Sequence, residues 1–283
     1  MKHAFLILAH DEVDLLKLLV GSLDDPRNDI YVHMDAKFGK LPSLHAEHAG
    51  LVMLEKRKDV RWGDLSMLEA EYLLFDEAVS KGPYQYYHLL SGRDLPIKSQ
   101  DYIHDFFDRN AGKEFIGYTL KGMTPETARK FRRWHLFPRS FKSRNIIVKG
   151  TRAACLALQD LLSLTRNKDV EFKKGSQWVS VTDGMARLFL ERKDWALKTF
   201  SHTFCCDEAA FQTICWDSPL RDNIFDTDDD GTGCMRAIGW KDNVLSDWKR
   251  DDMEHLRHSP ALFARKFNMK DPDFIHQLME LQR

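Results

Sequence analysis

The chain has 283 residues, with 42 lysines and arginines set against 43 aspartates and glutamates, a formal net charge of -1 and a 43% hydrophobic share. That share fills a sizeable core, and the balanced charge gives whole-chain electrostatics no case for nucleic acid. The cysteines, Cys155, Cys205, Cys206, Cys215 and Cys234, are odd in number and form no CxxC pair, so free thiols in a reducing compartment are expected rather than a disulfide framework.

Met1-Lys2-His3 leads into the apolar run Ala4–Ala9, far too short to span a bilayer and without a cleavage site; it reads as a buried strand. No repeat and no Gly/Ser/Pro-rich linker divides the chain. One cytoplasmic domain over 1–283 is expected, with a nucleotide-binding half at 1–110 and an acceptor and catalytic half at 111–283.

After the first strand, Asp11 is expected to cap a helix carrying Leu15, Leu16, Leu19 and Val20, and Ile30–Met34 reads as a second strand. Strand, helix and strand at this spacing predict a parallel βαβ unit. A short strand at Leu51–Leu54 follows, then a helix with Leu65, Leu68, Tyr72, Phe75 and Val79 on one face. Tyr86–Leu90 reads as a fourth strand ending in Ser91-Gly92-Arg93-Asp94, and a helix starts near Ser99. The fold class is therefore α/β, Rossmann-like, with a mostly parallel sheet flanked by helices.

Polar residues gather at the ends of these strands. His10 and Asp11 close the first, His33 and Asp35 the second, and Ser91 to Asp94 the fourth, where open α/β sheets bind ligands. One reading is a metal-dependent hydrolase built on His10, Asp11, His33 and Asp35, with His88 as a further ligand; against it, no tightly spaced pair such as HExxH is present, and His33 and His88 suit core positions. The other reading is a nucleotide-sugar site with Asp35 on the base or ribose. A third is a glycan- or nucleotide-sugar-binding protein without catalysis.

Between Thr127 and Gly150 lie eight basic residues, Arg133 among them, and no acid, interleaved with Phe131, Trp134, Phe137 and Phe141. Such a stretch is either a solvated face or a surface for an acceptor or an anionic membrane; no recognised nucleic-acid module accompanies it. A helix over about Thr151–Leu164 follows. Gln177–Val181 reads as a strand and Thr182 as the cap of the next helix.

Asp207 and Glu208 precede the apolar run Ala209–Cys215. Asp207 is expected as N-cap and Glu208 as the first helical residue, where backbone N–H groups favour an ionised carboxylate of the kind a general base needs. Asp226 to Asp230 mimics the start of an EF-hand loop, but its twelfth position is Ala237. It is expected as a surface turn.

Several blocks occur in one order: Ile7–His10, Val32–Lys37, Arg61–Ser66, Leu89–Lys98, Gly175–Trp178, Asp207-Glu208 and Leu262–Phe267. Together they resemble the core-2/I-branching β-1,6-N-acetylglucosaminyltransferase family, which includes the peptide O-xylosyltransferases. The resemblance covers nearly the whole chain. It implies a GT-A-like fold and inverting transfer from a UDP-sugar, N-acetylglucosamine or xylose, to a glycan or lipid-linked glycan acceptor, with no metal or other cofactor.

It also implies roles. Glu208 becomes the catalytic base. Arg236, Lys266 and Arg265 hold the diphosphate. Ala9, His10, Asp35, Lys37, Arg61 and Trp62 hold the nucleotide, while Asp94, Gln177, Trp178, Asp207 and Arg133 surround the sugar and acceptor. Eukaryotic relatives are membrane-anchored and disulfide-rich; this chain shows neither, which implies a bacterial-type cytoplasmic enzyme, peripheral at most to the membrane.

Overall fold

The computed structural model describes residues 1–119, 124–241 and 244–280. The first half winds as expected: β1 (His3–Ala9), α1 (Val13–Ser22), β2 (Asn28–Met34), β3 (Gly50–Met53), α2 (Ser66–Lys81), β4 (Tyr86–Ser91), β5 (Asp94–Pro96) and α3 (Gln100–Arg109). Next come α4 (Pro125–Arg132), α5 (Ile146–Leu161), β6 (Ser180–Thr182), α6 (Asp183–Glu191), α7 (Lys193–Phe200), α8 (Ala210–Trp216) and α9 (Asp230–Cys234). The chain closes with β7 (Arg236–Ile238), β8 (Trp240–Lys241), β9 (Val244–Leu245), α10 (Met253–His258), β10 (Phe263–Arg265) and α11 (Pro272–Glu280).

The main sheet runs β3-β2-β1-β4-β6, parallel except for β6, which pairs antiparallel with β4. β1 sits centrally because every residue in it can be buried. Its alternation sends Ala4, Leu6 and Leu8 into one core with α2, α6 and α8, and Phe5, Ile7 and Ala9 into a second core with α1, α3 and α11. A sheet covered on both faces is what continuous apolar strands demand. A second sheet, β5-β10-β7, packs on the α1 side through Phe263 and Leu95.

Several local expectations change. Asp11 does not cap α1: Glu12 occupies the N-cap position with a left-handed backbone and makes no side-chain cap bond, while both carboxylate oxygens of Asp11 accept from Arg93, at 3.0 and 2.6 Å. The helix expected at 151–164 starts five residues earlier, because Asn145 accepts from the Ile147 and Val148 amides and so caps it. Of the strand expected at Gln177–Val181, only Ser180 and Val181 fall in a strand, which runs on to Thr182, since Gln177 and Trp178 turn away towards a cleft. Thr182 caps its helix as expected, the helix expected near Ser99 starts at Gln100 with Ser99 as its cap, and all five cysteines are free.

Candidate active site

The β1–β2 register pairs Ala9 with Met34, and β1–β4 pairs Leu8 with Ser91, so the polar strand ends meet at one edge of the sheet. Above that edge opens a cleft of about 1730 Å³. This exceeds the roughly 300–1,000 Å³ of a pocket for one small ligand, and leaves room for a donor and an acceptor together.

The strand-end side is balanced internally. Asp35 accepts from the Lys37 backbone at 2.8 Å and from Lys37 Nζ at 2.7 Å, and the same ammonium reaches Asp59 at 2.8 Å. Arg61 also binds Asp59, at 2.8 Å. Trp62 stands half-exposed with its ring edge-on to Phe204, 5.2 Å between centroids, under the Lys142 ammonium at 5.1 Å. Gly63 makes this possible: at φ +76°, any Cβ on it would lie 2.5 Å from the Phe204 ring. Ala9, His10, Asp35, Lys37, Arg61 and Trp62 all line the cleft.

The hydrolase cluster does not assemble there. His33 is buried and accepts from the Lys58 amide at 2.9 Å, and His88 is buried against Ser180 and His3 at 2.8 and 3.0 Å. Burial lowers the pKa of both rings, as for satisfied core imidazoles. Among the described residues no group of three or more His, Cys, Asp or Glu side chains is disposed to hold a metal.

Glu208 faces the cleft by a route other than the expected one. Cys206–Glu208 forms a single 3₁₀ turn, and α8 begins only at Ala210, with Ala209 in the N-cap position. The left-handed backbone of Cys205, whose N–H donates to Gly63 at 3.0 Å, turns both acids off the helix end. The helix terminus is thus not their partner. Glu208 pairs instead with Lys174, Nζ to Oε2 at 3.0 Å, and its carbonyl accepts from the Gly175 N–H at 2.9 Å. A side chain at 175 would strike the Gly117 carbonyl at 1.8 Å, so glycine is what lets this strap lie against the site.

Behind Glu208 the carboxyls are starved of partners. Asp207 Oδ1 is buried without a hydrogen-bond partner among the described residues, and burial, then the charge of Glu208, push its pKa up to about 7. Glu71 lies deeper; burial and then the charge of Asp207 raise it well above the carboxylate range, while the Gln177 amide donates to its Oε1 at 2.7 Å. Asp230, expected on a surface turn, instead lines the cleft and accepts from the Ser176 amide at 2.7 Å; burial raises its pKa too. Asp226 and Asp229 do act as turn and cap residues.

The cations divide sharply. Arg265 reaches the cleft, stacked over Trp178 at 4.1 Å and bonded through Nε to Asp94 at 3.1 Å. Asp94 is buried; it also accepts from Ser91 and so positions the arginine from below rather than lining the cleft. Lys266 lines the cleft with no carboxylate ion pair among the described residues, its pKa lowered by burial and then by the Arg265 and Arg93 charges.

Arg236 does not join them. It is 2% exposed, bonds the carbonyls of Cys234 and Val179 and the Ser180 hydroxyl, lies over Phe263, and is absent from the cleft wall. β7 and β10 are adjacent and parallel with Arg236 opposite Phe263, which places Arg236 two positions away from the register of Arg265. Arg133 is also elsewhere, bonded to Asp160 at 2.9 Å and Thr165 at 3.0 Å in a separate groove.

Sequence reasoning gave no site role to Lys174, Glu71 or Asp230, and reached Arg93 only as part of the Ser91–Asp94 strand end. Only Lys174 carried a signal, its place directly before the Gly175–Trp178 block.

The Core-2/I-branching enzyme profile matches residues 3–271. A human N-acetyllactosaminide beta-1,6-N-acetylglucosaminyl-transferase is 22% identical over 305 residues, covering 99% of this chain and 71% of that protein. The protein named xylosyltransferase oxt of Drosophila pseudoobscura pseudoobscura is 23% identical and that of Drosophila melanogaster 22%, each over 88% of this chain. The chain spans only 29% and 30% of those two proteins. With the profile covering every named strand and every cleft-lining residue but Phe274, the chain belongs to the Core-2/I-branching enzyme family of glycosyltransferases.

Proposed function

We propose that this enzyme has a GT-A-like fold and transfers N-acetylglucosamine or xylose from a UDP-sugar to a glycan hydroxyl, with inversion to a β-linked product and without a metal. The observation that carries the reading is the pairing, in one cleft, of a lysine-bound carboxylate, Glu208, with two cations, Arg265 and Lys266. The acceptor hydroxyl gives its proton to Glu208 as its oxygen bonds the anomeric carbon. The bond from that carbon to the β-phosphate oxygen breaks, and its electron pair leaves with UDP.

The developing charge falls to Arg265 and Lys266. Lys266 stands beside Arg265 and Arg93 with no carboxylate ion pair among the described residues, so an incoming diphosphate relieves their mutual repulsion. Asp35, Lys37, Arg61 and Trp62 form the side for the nucleoside, with Trp62 offering a ring face. Gln177 and Trp178 border the transferred sugar.

A thermal-shift comparison of UDP, UDP-N-acetylglucosamine and UDP-xylose, followed by turnover with and without EDTA, tests this reading. Stabilisation by one donor and full turnover in EDTA are expected. Loss of turnover in EDTA with recovery in manganese would overturn the metal-free mechanism, and Asp230 would be the first residue to revisit.

A further inference from the structure

α5 is built inside out. Its exposed face carries Ile146 (83% exposed), Ile147 (74%), Leu158 and Leu161 (80%), followed just past the helix by Leu162 and Leu164. The only fully buried residue of the helix is polar: Gln159, whose side chain bonds both the N–H and the carbonyl of Trp134. Arg152 likewise points inward to the Ser140 and Phe141 carbonyls. The helix is anchored by Gln159 and Arg152, with Val148, Cys155 and Leu156 only half-buried beside them, and it leaves outward an apolar face that needs a cover.

Charge selects the cover. From Thr127 to Gln159 the chain has no acidic residue, and Asp160 is already taken by Arg129 and Arg133 at 2.7 and 2.9 Å. At the start of the helix Arg144 and Lys149 are exposed and have no ion-pair partner among the described residues. An apolar face flanked by unpaired cations matches an anionic lipid surface. A second copy of the chain would bring like charges together. At 16 residues the helix is about 24 Å long, short of the roughly 30 Å needed to cross a bilayer but suited to lying in its plane.

We infer that α5 is a membrane-docking helix that seats its Ile146–Leu161 face in an anionic bilayer, with Arg144 and Lys149 at the headgroups. Arg139, Ser140, Lys142 and Ser143, just ahead of the helix, line the cleft, so docking brings the cleft wall close to the lipid surface. An acceptor held on a lipid would then meet the cleft from the membrane plane. That consequence rests on the transferase reading; the docking itself does not.

The test is co-sedimentation of the full chain with phosphatidylcholine vesicles, with or without phosphatidylglycerol, and light scattering in lipid-free buffer. Binding should require phosphatidylglycerol and fall with salt. Arg144→Ala with Lys149→Ala should weaken it about fivefold per charge, about twenty-five-fold together. Ile147→Ser and Leu161→Ser should each weaken it more than about tenfold. Both pairs of variants should melt with the wild type, because the altered side chains are exposed.

No binding at low salt, or binding that neither pair of variants reduces, would overturn the inference. So would a lipid-free dimer that the Ile147 and Leu161 changes split apart, which would make a second copy the cover. None of these readouts depends on turnover, so failure here leaves the donor and EDTA experiments as an independent judgement of the transfer chemistry.

Discussion

The two walls of the cleft handle charge in opposite ways. On the strand-end wall each acid has a cation within reach: Asp11 with Arg93, and Asp35 and Asp59 with Lys37 and Arg61. On the facing wall the half-buried Asp207 and Asp230, with the buried Glu71 behind them, are carboxyls with raised pKa values, and Lys266 has no carboxylate ion pair among the described residues. A wall balanced in itself is preformed and indifferent to protons; an unbalanced wall stores electrostatic cost that a ligand or a moving proton can discharge. On the function proposed above, binding of the nucleoside would fall to the first wall and chemistry to the second.

The largest effect should come from Glu208→Gln. The amide keeps the size of the side chain but cannot accept the acceptor's proton, so kcat should fall by about 10² to 10⁴ while UDP still stabilises the protein against heat. Near-normal turnover in this variant would move the base elsewhere on the unbalanced wall.

Next in size is the contrast between cations. Lys266→Ala should lower kcat by about 10² to 10³ and raise donor KM if, as proposed, the ammonium meets the diphosphate both before and during bond breaking. Arg236→Met should leave donor KM within about threefold. Its cost should appear in the melting temperature, since carbonyls of Cys234 and Val179 lose a buried donor, at about 1–3 kcal/mol for each group left unsatisfied. Equal effects of the two changes on donor KM would erase the distinction between a cleft cation and a core cation.

That distinction also marks how far the sequence could be read. The sheet was legible because β1, β2 and β4 are continuous apolar runs, and their polar ends could be placed at one edge without coordinates. Glu208, Arg265 and Lys266 were reachable through the block resemblance. Arg236 was not separable from Arg265, because each is the terminal residue of a short strand and only strand register decides which one reaches the cleft. The pairing of Lys174 with Glu208 and the place of Glu71 behind Asp207 were hidden for a related reason, although Lys174 stands directly before the Gly175–Trp178 block. Both residues meet the Asp207 turn from segments more than thirty and more than a hundred residues away, and no local pattern announces such a meeting. The outward apolar face of α5 was hidden as well, since helical periodicity shows that a face exists but not which way it points.

The smallest expected effect probes the unbalanced wall directly. Asp207 holds its proton up to about pH 7 in the fold, whereas an exposed aspartyl releases it near 3.8. Between those values the unfolded chain has ionised and the folded chain has not. Raising the pH through that interval therefore removes stability, and by pH 7 and above the native state carries a partly buried anion beside Glu208. Asn at this position cannot ionise, so Asp207→Asn should melt higher than the wild type above pH 7, by about 1–3 kcal/mol once relaxation of the site is allowed for. The advantage should shrink as the pH falls towards 4. Differential scanning calorimetry across pH 4 to 8 reads this slope, and kcat should change far less than in Glu208→Gln. A variant whose stability tracks the wild type at every pH would show that Asp207 ionises freely, and the facing wall would then be as balanced as the strand-end wall.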